Sequence, residues 1–161
     1  MKLPDNPDVG TVEDFVREKF RIARQFIEDA KEAHNRESNN TAVNRAYYAL
    51  FKVVTAVQTL DKKKFRSHGQ AIGNFNYEYI HQRGIFPETY GEKLYDVMRL
   101  RHKSDYEEFD DPTDEQAQDA ISFAEEFFEM ARCYCEGHME NSSLQLQAAS
   151  SKRETIHFNA S

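Results

Sequence analysis

The sequence is short of the residues that interrupt helices. Its 161 residues hold six Gly and four Pro, and the prolines fall at positions 4, 7, 87 and 112. Three long stretches between them are therefore open to helix. Cysteine is scarce as well, with Cys133 and Cys135 the two in the chain. At i and i+2 of a helix they point to different faces, which argues against a disulfide between them. No second Cys pair and no nearby His pair completes a zinc set, so no metal and no cofactor is expected. No segment reaches 18 uninterrupted apolar residues, because Arg45 and Lys52 punctuate the greasiest one. Met1–Asp5 opens no apolar signal region, so the expectation is a reducing cytoplasm and no membrane. Val, Ile and Thr nowhere alternate as a strand would require. Positive charge is in deficit too. Lys and Arg number 21 against 28 Asp and Glu, a net charge of -7. That argues against broad adhesion to nucleic acid or anionic lipid, while leaving room for a small basic cleft.

What remains is helix, organised around Ala42–Leu60. Asn44, Lys52, Thr55 and Thr59, with Tyr48, draw one narrow polar stripe on an otherwise apolar or aromatic circumference. Such a helix has to be surrounded by others. Arg45 lies beside the stripe, at the entry of a helix built for a core, where a charge is rarely left unpaired.

Around it the chain reads as follows. Residues 1–10 form a loose N-terminus. Thr11, with Asp14 three residues on, starts a first helix. Phe15, Ile22, Phe26, Ala30 and Ala33 follow its repeat, flanked by Phe20, Ala23 and Ile27. After the central helix, Asp61–Arg66 is a basic connector, either a solvated loop or a contact for phosphate. Ser67 or His68 starts a third helix with Ile72, Phe75 and Tyr79 inward, ending at Arg83-Gly84, where Gly84 suits a left-handed terminus. A fourth helix spans Glu88 to Tyr106. Thr113–Gln116 is a capping box opening a fifth, whose inward face is Ala117, Ala120, Ile121, Ala124, Phe127, Phe128, Ala131 and Tyr134. Gly137 is expected to end it, leaving 140–161 as a disordered tail. The fold class is all-α: an up-and-down bundle of four or five helices over residues 11–139.

Chemistry concentrates at the end of the fourth helix. Arg99 and His102 are i and i+3, with Tyr106 one turn beyond; Arg101 and Asp105 are i and i+4 on the adjacent stripe. A fixed cation, an imidazole and a phenol in one row can hold a phosphodiester and move a proton. The same residue types also make an ordinary salt-bridged helix terminus. His68 reads first as a helix-start residue, and His34 and His81 as surface ones. Arg132 and His138 repeat an Arg-x5-His spacing by chance.

Three motifs in order carry a resemblance: Asn44-Arg45-Ala46-Tyr47-Tyr48-Ala49-Leu50-Phe51, then Ser67-His68-Gly69-Gln70-Ala71-Ile72 with Phe75, then Leu100-Arg101-His102-Lys103-Ser104-Asp105-Tyr106. Together they resemble the HEPN superfamily, in particular the small stand-alone members often encoded beside a minimal nucleotidyltransferase. The resemblance spans about residues 12–138. It implies a helical bundle that forms a homodimer and acts in a toxin–antitoxin or nucleotidyltransferase-associated module. It also implies RNA or nucleotide as ligand, and in some members metal-independent endoribonuclease activity across the dimer cleft. On that footing Arg99 and His102 are the catalytic candidates, and Arg45, Arg101, Asp105 and Tyr106 the binding ones. One departure stands out. With Arg99 matched to the family's motif Arg, Ser104 falls at the position of its His, and Ser is no general acid near neutral pH. The alternative is a non-catalytic dimeric interaction module that holds a nucleotidyltransferase, its Arg/Asp/Tyr cluster being structural.

Overall fold

The computed structural model describes residues 10–106 and 111–159, with side chains over 10–103 and 111–139. Among the described residues there are five α-helices, one π-helical segment and no strand, so the all-α bundle is what the chain forms. Helix α1 (Val12–Asn35) starts at Thr11, where the expected capping box is complete. Thr11 Oγ1 accepts from the Asp14 N–H at 3.2 Å, and Asp14 Oδ2 accepts from the Thr11 N–H at 3.0 Å. Helix α2 (Asn39–Leu60) is the central rod. Its pairing with α1 is the most extensive in the molecule. Ala23, Ala30 and Ala33 on α1 and Ala42, Ala46, Ala49 and Ala56 on α2 are fully buried, and their small side chains allow that close approach.

Helix α3 (His68–Asn74) runs directly into a π-helical segment (Phe75–Gln82), which Gly84 stops at φ +59. Where the winding changes, Ala71 O accepts from both the Phe75 N–H and, at 2.7 Å, the buried Gln58 amide of α2. Helix α4 (Glu88–Tyr106) packs on α2 and on the π segment. Helix α5 (Asp114–Asn159) opens with the Thr113–Gln116 box and lies along α1 and α2. An aromatic cluster joins the last three elements. Phe127 packs edge-on against Phe75 and Phe86 at 5.5 Å each, and Tyr90 meets Phe123 at 5.2 Å. Full burial of one such ring is worth about 1.5–3 kcal/mol, so this cluster holds α4 and α5 to the π segment.

Three details depart from the sequence pattern. The buried stripe of α1 is Val16, Phe20, Ala23, Ile27, Ala30 and Ala33, while Phe15, Ile22 and Phe26 lie half-buried on its flank. The face is turned toward the positions read as flanking, because Phe26 reaches sideways to stack on Tyr48 at 5.7 Å. Phe75–Gln82 winds as a π-helix rather than continuing α3. Gly137 does not end α5, whose backbone stays helical to Asn159. An interior Gly costs a helix only about 1 kcal/mol, and the Glu, Gln, Leu and Ala that follow favour continuation. Cys133 is exposed and Cys135 buried, on different faces of α5.

Candidate functional site

The polar stripe of α2 is where a site forms. Asn44, Tyr48, Lys52, Thr55 and Thr59 are half-buried, since α1, α3, α4 and α5 cover the rest of the rod. Tyr47, beside the stripe, is 3% exposed, and its Oη lies 2.9 Å from His68 Nδ1. His68 is the first residue of α3. Ser67 fixes that start, its Oγ accepting from the Gln70 N–H at 3.2 Å. The exposed imidazole stacks on Phe51 with ring centroids 3.7 Å apart and meets Tyr48 edge-on at 6.3 Å. From α4, the Arg101 guanidinium lies 4.6 Å over the Tyr47 ring and 5.2 Å over Tyr48. Each such contact is worth about 0.5–1 kcal/mol when exposed and about 2 when desolvated. Three helices thus bring two tyrosines, a phenylalanine, an imidazole and a guanidinium together.

The hydrogen bonding has a direction. A guanidinium only donates, so toward Arg101 the Tyr47 oxygen is the acceptor. Between Tyr47 and His68 two tautomers serve: the phenol donates to Nδ1 and Nε2 carries the ring N–H, or Nδ1–H donates to the phenol and Nε2 is left as an acceptor. Burial pushes the Tyr47 hydroxyl above its usual range, and Arg101 opposes that shift. His68 is pushed below its ordinary value by partial burial, then by the charges of Arg101 and Lys52. Near neutral pH the cluster therefore holds a neutral imidazole beside fixed cations. That arrangement suits an anionic group, which would lie against Arg101 and, in the first tautomer, accept from the imidazole N–H.

The residues picked from sequence are only partly brought together. Arg101 is at the centre of the cluster. Arg45 is half-buried on α2, its Nη1 donating to Asn44 Oδ1 at 3.0 Å. Arg99 points elsewhere, because i and i+2 are about 200° apart around a helix. Its side chain is 71% exposed, pairs with Asp96, and lines an open groove of about 860 Å³ between α4 and α5. His102 is exposed. Asp105 and Tyr106 belong to α4 by their backbone, but their side chains, like that of Ser104, lie outside the described residues. Arg132 sits between Glu129 and Glu136, 2.8 Å from each, and His138 rests on Tyr134. His34, read as a surface residue, is 2.8 Å from Asp114 and ties α1 to the start of α5. Among the described residues, no group of three His, Cys, Asp or Glu could hold a metal ion. No helix among them is long and apolar enough to cross a membrane.

Sequence reasoning underused His68 and Phe51. The signal was present in the aromatic run Tyr47-Tyr48-x-x-Phe51, which needs a partner ring on its exposed edge. Comparison with known proteins agrees with this arrangement of helices. The model of a family described as HEPN domain matches residues 16–134. A Thermotoga maritima protein named UPF0332 protein is 32% identical over 109 residues, covering 68% of this chain and 82% of the relative. A Methanocaldococcus jannaschii protein bearing the name "Putative toxin" is 32% identical over 108 residues, covering 67% of this chain and 79% of the relative.

Proposed function

Since this chain belongs to the HEPN family, we propose that it is the RNA- or nucleotide-binding component of a toxin–antitoxin type module, working as a homodimer. The supporting observation is the Arg101 guanidinium laid on Tyr47 and Tyr48 beside the exposed, neutral His68. The guanidinium supplies a phosphate contact, and the aromatic surroundings suit a base or ribose. A nucleotidyltransferase protein is the partner this reading assigns to the module, and it keeps Arg45, Asp105 and Tyr106 as the further binding residues expected from the sequence. The test is binding of a fluorescein-labelled single-stranded RNA and of free nucleotide to wild type and Arg101→Gln. Micromolar binding by wild type, at least tenfold weaker in the variant, is expected. Equal binding by both would remove Arg101 from the site, and no binding by either would end the proposal.

Cleavage is a second reading, motivated by the Tyr47–His68 hydrogen bond, which fixes the imidazole. In this reading Nδ1–H donates to Tyr47 Oη, so that Nε2 is the base that takes the 2′-hydroxyl proton, and the Arg101 guanidinium holds the phosphate charge, as 2′-oxygen attack needs. Arg99 and His102, on the exposed part of α4, are the other pair proposed for those two roles. Incubation of RNA with His68→Ala, Arg99→Ala and His102→Ala separates the pairs: loss of product in His68→Ala alone points to the Arg101/His68 pair, and loss in both Arg99→Ala and His102→Ala, with His68→Ala active, to the other.

A further inference from the structure

On the other side of Lys52 from His68, the same stripe of α2 gathers a second set of cations. Lys19, from α1, is half-buried, and its Nζ donates to Thr55 Oγ1 at 3.4 Å. Thr55 turns its own hydrogen to Lys52 O at 3.0 Å, which leaves its oxygen to accept from Lys19. Lys52 lies one turn back on α2, and Lys64 comes from the connector after it. Burial and the charges of Lys52 and Lys64 hold the Lys19 ammonium below its ordinary pKa, so among the described residues the charges acting on it are both positive. Lys52 acts on His68 as well, together with Arg101. Lys52 therefore links the two sets, Arg101 with His68 and Lys19 with Lys64, on a chain whose net charge is -7. The connector's other two lysines are used differently, since Lys63 pairs with Glu78 and Lys62 takes the left-handed turn at φ +60. Gathering three ammonium groups opposes folding unless an anion joins them. From Tyr48 to Thr55 is seven residues, about 10 Å of helix axis. That is roughly three phosphate steps at the ~3.4 Å rise per strand of stacked nucleic acid.

We propose that Lys19, Lys52 and Lys64 form a second phosphate subsite, which holds the backbone of a single-stranded RNA that has another phosphate, about three steps along, on Arg101 and a base stacked on His68. The subsite rests on the RNA-binding reading above and gives it a direction along α2. A row of cations tracking the backbone beside an aromatic platform is the usual construction for single strands. Specificity of sequence is not implied, because phosphate contacts position a strand without reading it.

The test uses fluorescence anisotropy with a labelled 12-nucleotide oligouridylate over a series of salt concentrations, and uridine monophosphate as competitor. The proteins are wild type, Lys19→Gln/Lys64→Gln, and a control with equal charge change, Lys31→Gln/Lys93→Gln. Each phosphate contact on a single strand adds about 0.7 to the slope of log affinity against log salt. The first double variant should lose about 1.4 from that slope and bind the 12-mer at least tenfold more weakly at low salt. Its affinity for uridine monophosphate should match wild type, and it should melt no lower, since like charges have been removed. The control should keep the wild-type slope. If wild type binds the 12-mer and the two double variants behave alike, the subsite is wrong while the Arg101 site stands. If wild type binds neither ligand, both readings fall.

Discussion

Among the described residues, two places set an arginine over a tyrosine ring, and they differ in what meets the phenol. At the end of α2, Arg83 lies 5.1 Å over Tyr79, with Asp61 between them. Asp61 Oδ2 accepts from Tyr79 Oη at 2.6 Å and from Arg83 Nη1 at 2.9 Å, and Arg83 Nη2 donates to Tyr134 Oη at 3.2 Å. Burial and the Asp61 carboxylate push the Tyr79 hydroxyl far up, so it stays protonated. In the middle of α2, Arg101 lies over Tyr47 and Tyr48, and the Tyr47 hydroxyl meets an imidazole where that of Tyr79 meets a carboxylate. The first cluster is closed: Tyr79 and Arg83 share the Asp61 carboxylate, Arg83 also donates to Tyr134, and the set joins the end of α2, the π segment and α5. The second is open on its His68 side, where an exposed, titratable ring sits among cations. The tyrosine hydroxyl is tied to a fixed anion in the first cluster and to an exposed, titratable ring in the second, and the receptor role proposed for the second uses that ring.

Substitutions can break this contrast, and the closed cluster should show the largest effect on stability. Asp61→Ala leaves a buried phenol and a cation without their shared acceptor, at a cost of about 2 kcal/mol. For a chain of this size that lowers Tm by about 4–8 °C, measurable by calorimetry, with RNA affinity unchanged. Arg101→Gln should do the reverse, weakening RNA binding about tenfold while Tm moves less than about 4 °C. His68→Asp sharpens the comparison by importing the closed cluster's chemistry. A carboxylate there gains Arg101 and Lys52 as partners and sits at a helix N-terminus, so Tm should rise slightly while RNA binding is lost.

The pH dependence follows from the depressed pKa of His68. Its ordinary value is 6.5 and the folded value lies lower. As pH falls below about 6.5, the unfolded chain takes up a proton that the folded ring resists, so stability declines across that interval. A bound phosphate favours the protonated ring, so RNA affinity should rise over the same fall in pH, and His68→Ala should flatten the rise. Titrating affinity from pH 7.5 to 5.5 checks both slopes. The smallest effect concerns the backbone beside the closed cluster. Lys62, at φ +60, closes the end of α2 in the left-handed region. Lys62→Gly should stabilise the protein by about 0.5–1 kcal/mol, seen as a Tm gain without change in RNA binding.

Much of the fold was legible because helix ends carry chemical marks. Thr11 with Asp14, Thr113 with Gln116, and Gly84 each mark a terminus that the structure contains. The inward face of α5 was legible because its spacing of three and four runs over five turns. The π winding of Phe75–Gln82 was not, since eight residues are too few for their pattern to separate one helical period from another. Gly137 misled because glycine marks a helix end only where the backbone turns left-handed. At the site, Arg101 and the tyrosines were visible as motif residues, but their partner was not. His68 and Tyr47 are 21 positions apart, and their contact is set by where Ser67 starts α3. Lys19 was hidden for the same reason: nothing within α1 says that it reaches Thr55 of α2.

The two thiols of α5 give the molecule a practical property. Burial raises the Cys135 thiol to about 12, so near neutral pH it holds its proton and is shielded from reagents. Cys133, two residues earlier, faces water. A maleimide dye added to the native protein should therefore attach at one position without any engineering, supplying a reporter for assembly with a second copy or a partner.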